Sequence, residues 1–129
     1  MDMIIDFPGG AKVDAHFRGH TVMTDQPPLD SAPMPFEIFL ASIGTCAGIY
    51  VLGFCRQRNL PTEGIRIIQR NHPGANGMME KIDLEIQVPP TFPEQYYGAL
   101  VRSAELCKVK KTLENPPVFE VTTKLVETA

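Results

Sequence analysis

Three cysteines carry the chemistry this 129-residue chain could perform: Cys46, Cys55 and Cys107. The number is odd and no two are close in sequence, so neither a disulfide-stapled secreted scaffold nor a C-x-x-C zinc site fits. What remains is either inert core thiols or a reactive thiol. A thiol reacts as its thiolate, and a free cysteine at pH 7 is only about 3% ionised. Burial in apolar surroundings lowers that fraction further. A reactive buried cysteine therefore needs a cation or strong hydrogen-bond donors beside it.

The segment that holds two of the three thiols sets the geometry. Ile38 to Cys55 runs 18 residues without a charge. Pro35 suits the first turn of a helix, where a missing N–H costs nothing, and Glu37 complements the positive end of the helix dipole. Arg56 and Arg58 suit the other end, and Pro61 stops the helix near Asn59. On this helix Cys46 and Cys55 are nine residues apart. That is about 900° of turn and about 13.5 Å of rise, which puts them on opposite faces and excludes a bond between them. Cys55 reads most simply as a small core side chain. Cys46 lies too far along for its own helix terminus to activate it, so the charge must come from elsewhere.

Eighteen apolar residues stand at the lower limit for crossing a bilayer. The many small residues (Ala41, Ser42, Gly44, Thr45, Ala47, Gly48) and Glu37 at the mouth favour a helix buried on all sides in protein. The flanking strands also need a core to cover. Met3–Phe7, Lys12–Arg18 and His20–Thr24 form a small meander, with Val13, Ala15 and Phe17 alternating against Lys12, Asp14, His16 and Arg18. Gly64–Asn71 and Met79–Val88 form a hairpin about the turn His72–Gly77. Residues 25–35, with four prolines, form a surface loop. A helix follows from Glu94 to about Leu106, then a short one from Cys107 to Leu113, and a last strand from Val118 to Val126. The order β-β-β-α-β-β-α-(α)-β is an α+β fold in one domain, residues 1–129. One small sheet cannot cover a helix apolar on every side, so the sequence predicts an obligate homodimer built around it.

Net charge is −3 with no basic stripe, which argues against a nucleic-acid partner. The start of the chain lacks the basic and apolar regions of a signal peptide, so the expected compartment is the cytoplasm. His16, Arg18 and His20 share a strand face if Gly19 keeps the register. No third ligand accompanies the histidines, so no metal and no cofactor is expected.

The stretch Thr24-Asp25-Gln26-Pro27, the Pro-rich loop and PMPFEIFLASIGTCAGIYVLGFCRQRNL resemble the OsmC/Ohr family, and Cys107-Lys108-Val109-Lys110-Lys111-Thr112-Leu113 is similar to its second cysteine motif. The resemblance covers nearly the whole chain. It implies antiparallel sheets wrapped around a long central apolar helix in an intertwined homodimer, with sites at the interface. It also implies a thiol-dependent peroxidase acting on organic hydroperoxides. Cys46 would become a sulfenic acid, Cys107 would resolve it to a disulfide, and an external dithiol would reduce the bond. By family position, Arg18 would be the activating cation and Glu37 the carboxylate that holds it. In the peroxidases that glutamate stands one residue earlier, where this chain has Phe36. Lys108, Lys110 and Lys111 are alternative cations. Two other functions fit the pattern less closely: a protein of the same fold that binds a small apolar ligand at the interface, and a hot-dog-like thioesterase. The latter would need a carboxylate or amide on the helix, where this sequence offers a thiol.

Overall fold

The computed structural model describes residues 1–127. Strands β1 (Ile4–Gly9), β2 (Lys12–Phe17) and β3 (His20–Thr24) form an antiparallel meander in that order. The register pairs Ile5 with Ala15 and Ala15 with Val22, so Ile5, Phe7, Val13, Ala15, Phe17 and Val22 share one face. Phe17 pairs directly with His20, which leaves Arg18 and Gly19 as a two-residue turn, both with positive φ (48° and 79°). That geometry matches the right-handed twist of the flanking strands. Arg18 is thus a turn residue rather than the strand residue the alternation suggested.

The long helix α1 spans Pro35–Gln57. Its start is fixed as the sequence predicts: proline occupies the first turn, and the Glu37 carboxylate accepts the Met34 N–H at 2.9 Å. At the other end Arg58 donates to the Phe54 carbonyl at 3.3 Å and lays its guanidinium 3.8 Å from the Phe54 ring centroid. Strands β4 (Arg66–Pro73) and β5 (Met79–Gln87) form the second antiparallel sheet. A 3₁₀ turn, Glu94–Tyr96, leads into α2 (Tyr97–Ala104), and α3 covers Lys108–Glu114.

The core lies where one face of α1 meets α2 and the β4–β5 sheet. Ala47, Val51, Phe54 and Cys55 pack there with Phe92, Leu100 and Ala104. Each fully buried Val, Leu or Phe side chain contributes roughly 1.5–3 kcal/mol. The opposite face of α1 is bare: Ala41, Thr45 and Ile49 are exposed, Ile49 by 63%, and Phe36 and Phe39 are also uncovered towards the helix start. One chain therefore covers α1 on one side only, and the expectation of burial on all sides does not hold within it. The β1–β3 meander does not help, because it forms no substantial packing with any other element. Its own apolar face stays open, with Ile5 54% and Phe7 79% exposed.

The last predicted strand is also absent from the described residues. Residues 118–126 have no regular structure and are exposed throughout. A strand exists only through pairing, and nothing among the described residues pairs with that segment. By length and composition α1 would suffice to cross a bilayer. Within the chain one face of it, through Leu40, Ile43, Ala47, Val51, Phe54 and Cys55, is applied to protein.

Two local devices fix the frame of the site. Asp25 is almost fully covered, by the thin wall of its own loop rather than by deep core. Its carboxylate accepts the Gln26 N–H at 2.8 Å, the Ser31 N–H at 2.9 Å and the Ser31 hydroxyl. Those donors, led by the Ser31 hydroxyl, hold its pKa below the usual aspartate value. The Pro-rich loop is thereby ordered immediately ahead of α1. Gln69 on β4 reaches onto α1 and donates to the Leu40 carbonyl at 2.8 Å and to Asn71 Oδ1 at 2.9 Å. A side chain at Gly44 would run into the Gln69 carbonyl oxygen, so the missing Cβ is what lets strand and helix approach.

Gly44→Val should therefore destabilise the fold by about 1–3 kcal/mol through overpacking, read as a lower urea midpoint. In a Gln69→Ala background the obstacle is gone. There, Gly44→Ala should be neutral or stabilising by up to about 1 kcal/mol, from helix propensity alone. A Gly44→Ala penalty that persists without Gln69 would contradict this account.

Candidate thiol site

The site forms where α3 meets the flank of α1. All three cysteines are unbonded. Cys107 is the residue immediately before α3, in an extended conformation (φ −46°, ψ 125°), so its side chain and the first N–H groups of α3 converge. Its sulfur is 2% exposed and faces the Ile43 carbonyl at 3.9 Å, a weak S–H contact. Cys46, half-buried on the same side of α1, meets Cys107 side chain to side chain. The fold thus brings together two thiols that are 61 positions apart in sequence. Cys55 lies away from this pair in the core beside Phe54, and its thiol is pushed up by burial.

The two thiols are unequal. For Cys46, burial pushes the pKa up, but the Val109 N–H, the Cys107 thiol, the Lys108 N–H and the Lys108 charge together more than offset it. The net direction is down from 9.0. For Cys107, burial pushes the pKa up and dominates despite the N–H groups of Lys110 and Val109; the neighbouring Cys46 adds to the rise. Proton release from the pair therefore begins at Cys46, while Cys107 keeps its proton. The donors that the sequence could only place "elsewhere" come from α3 of the same chain. Two of them are backbone groups, which no residue type announces.

The other candidates sit apart from the thiols. Arg18 is at the exposed tip of the β2–β3 turn, and Glu37 is engaged with the Met34 N–H at the start of α1. Among the described residues the two form no ion pair with each other. Of the three lysines near Cys107, Lys108 acts on Cys46, and Lys110 pairs at 3.8 Å with Glu105 on the surface. His16 is joined by Asp14, which the alternation already set on its face, and by Asp6 from β1, which it did not. The register sets Asp6 opposite Asp14, and with His16 their ligand atoms lie within 4.8 Å of one another. His16 Nε2 is 3.1 Å from Asp6 and Nδ1 is 3.0 Å from Thr21 Oγ1, so its ring is already partnered. The cluster is a hydrogen-bonded group of side chains on an open sheet face, and no metal is inferred from it.

A cavity of about 490 Å³ opens beside the thiols. Ile43, Ala47, Leu84, Leu100 and Cys107 form its apolar walls, and Lys110 stands among its polar residues. An apolar molecule lodged there would place its end against Cys107 and the flank of α1 that carries Cys46.

A helix-centred α+β fold with two antiparallel sheets and a thiol pair at the helix flank defines a recognisable class. The chain belongs to the OsmC-like protein family, whose model matches residues 28–122. Solved structures agree on the fold. An OsmC-like protein from Mycoplasma pneumoniae superposes with a TM-score of 0.72 at 11% identity, over 89% of this chain and 87% of the other. A putative osmotic stress induced and detoxification response protein from Psychrobacter arcticus 273-4 gives 0.71 at 15% identity, over 85% of each chain. The organic hydroperoxide resistance protein OhrB of Bacillus subtilis gives 0.52 at 15% identity, over 90% and 93%. No curated protein sequence matches the chain.

Alkylation of the reduced protein should show Cys46 reacting with a midpoint below pH 9.0 and Cys107 with one above it. Lys108→Pro removes one N–H and the lysine charge while keeping a residue suited to the first helical position, and the extended Cys107 tolerates a following proline. It should raise the Cys46 midpoint and slow alkylation at pH 7 several-fold. An unchanged midpoint in a folded variant would remove Lys108 as a source of activation and leave the Val109 N–H.

Proposed function

We propose that this protein is a thiol-dependent peroxidase that reduces organic hydroperoxides. The observation that carries the reading is the direct meeting of an activated Cys46 with a protonated Cys107. The Cys46 thiolate attacks the distal peroxide oxygen, the O–O bond breaks, and the alkoxide leaves with a proton as the alcohol. Cys46 is left as a sulfenic acid. The Cys107 sulfur then attacks that sulfur, water leaves, and a Cys46–Cys107 disulfide forms. An external dithiol restores both thiols by exchange, which suits a reducing cytoplasm. Within the chain Lys108 and the first N–H groups of α3 supply the stabilisation that the family position would assign to Arg18 and Glu37.

The working unit in this proposal is a homodimer, with no nucleic acid or membrane as partner. The bare face of α1 around Phe39 and Ile49 and the open apolar face of the β1–β3 meander both support it. Each is a surface that a monomer would leave in water. A second reading stands on the cavity: the same fold could hold a small apolar ligand without peroxide chemistry.

Treating the reduced protein with one equivalent of an organic hydroperoxide per chain should yield a Cys46–Cys107 disulfide by peptide mapping. Cys46→Ser should abolish peroxide consumption, and Cys107→Ser should leave a sulfenic acid at Cys46 that dimedone traps. Free thiols persisting at both positions in excess hydroperoxide would overturn the peroxidase reading and favour ligand binding. Light scattering should give the mass of two chains.

A further inference from the structure

We propose that the reduced Cys46–Cys107 pair is a binding site for a sulfur-seeking cation, Cu(I), held in two-coordination between the two sulfurs. The inference uses the same thiols as the proposed peroxidase but needs neither peroxide chemistry nor a second copy of the chain.

Two sulfurs that meet form a ligand set in themselves. Cys107 Sγ lies 3.9 Å from the Ile43 carbonyl, on the turn of α1 that carries Cys46, and the two cysteine side chains touch. Neither sulfur is tied up in a disulfide. The sequence shows no metal-ligand spacing because these residues are 61 positions apart and only the fold joins them.

The surroundings select the ion. Among the described residues, the one group of three His, Cys, Asp or Glu side chains with converging ligand atoms is Asp6, Asp14 and His16 on the meander. No third side chain of these types therefore stands with the two thiols. Glu105, the acidic residue bordering the cavity, is paired with Lys110 at 3.8 Å. A structural zinc takes four ligands, and calcium and magnesium take oxygen. Thiolate sulfur selects Cu(I), which two such ligands satisfy. The surround also fits its oxidation state. Ile43, Ala47, Leu100 and Ala104 give the adjoining cavity apolar walls, and Cys107 is 2% exposed. Cu(II) favours nitrogen and oxygen in a tetragonal array, which these walls do not offer.

Charge points the same way. Two thiolates around Cu(I) leave a single net negative charge. The Lys108 charge acts on Cys46, and the Lys108 and Val109 N–H groups face the same sulfur. Such outer contacts orient ligands and tune the metal they hold. A zinc bis-thiolate would be neutral and would gain nothing from the lysine. On binding, both S–H bonds break, two S–Cu bonds form and two protons pass to solvent. Copper stays Cu(I) and no electron moves. The ion occupies both sulfurs, so the site takes either copper or an oxidant.

The test uses the full chain, reduced and kept free of oxygen, with Cu(I) supplied as its acetonitrile complex. Native mass spectrometry should show one copper per chain, retained against a modest excess of the chromogenic chelator bicinchoninate. X-ray absorption at the copper edge should find two sulfur neighbours. Copper should protect Cys46 of the unaltered protein from alkylation, a readout that needs no variant, and Zn(II) at the same concentration should not. Cys46→Ser and Cys107→Ser should each weaken copper binding at least about a hundredfold, beyond the roughly 10–100-fold that loss of an outer contact brings. Copper lost to the chelator, three or more sulfur neighbours, equal protection by Zn(II), or unchanged retention in either serine variant overturns the inference. Peroxide consumption is measured separately on copper-free protein, so the peroxidase reading stands or falls by itself.

Discussion

Every larger feature of this molecule follows from a helix with more apolar surface than its own chain can cover. The core of α1, from Leu40 to Cys55, is held by the β4–β5 sheet and α2 on one flank, while Phe36, Phe39 and Ile49 face outward. In water that imbalance is unfavourable by the usual measure of apolar area. The remaining elements are arranged in the same unfinished way. The meander has an apolar face with nothing on it, and the C-terminal arm alternates like a strand with nothing beside it. These open surfaces are what the proposed homodimer would cover.

The thiol site uses the covered flank. Burial of Cys46 works against its ionisation, and the first turn of α3 reverses the sign by aiming N–H groups and the Lys108 charge at it. The same turn cannot do this for Cys107, which is more deeply enclosed and feels the charge forming on Cys46. An asymmetry between two chemically identical side chains thus arises from a few ångströms of placement. Gln69, lying over Gly44 and bonded to the Leu40 carbonyl, fixes the height of the helix relative to the sheet, and hence where Cys46 stands.

Much of this was written in the sequence. The uncharged run, the proline at its start and Glu37 gave α1 almost to the residue; alternation gave β2, β4 and β5, and the turn residues beside them gave β1 and β3. Cys46 was separable from Cys55 by helical turn alone, and the second cysteine motif pointed to Cys107. What the sequence could not display were relations between surfaces. An apolar helix shows that it will be buried but not by which copy, so burial on all sides was read where one chain supplies half. Arg18 extended an alternating pattern into a position the backbone needed for a turn. The residues activating Cys46 escaped notice because two of the groups are main-chain N–Hs, whose donors are the same in every residue but proline. Val118–Val126 looked like a strand for a sound reason, its alternation. Pairing, though, is a property of two segments and only one was in view.

Cys107 holds two offices that cannot be exercised independently. It supplies a sulfur, and it is also the hinge residue from which α3 departs. Any bond made at that sulfur pulls on the start of α3, and α3 carries Lys110 and Leu113, which border the cavity. The chamber beside the thiols is consequently not a fixed container. Its wall is attached to one of the two thiols, so in the proposed cycle a Cys46–Cys107 bond would alter the shape of the space that admits the next molecule.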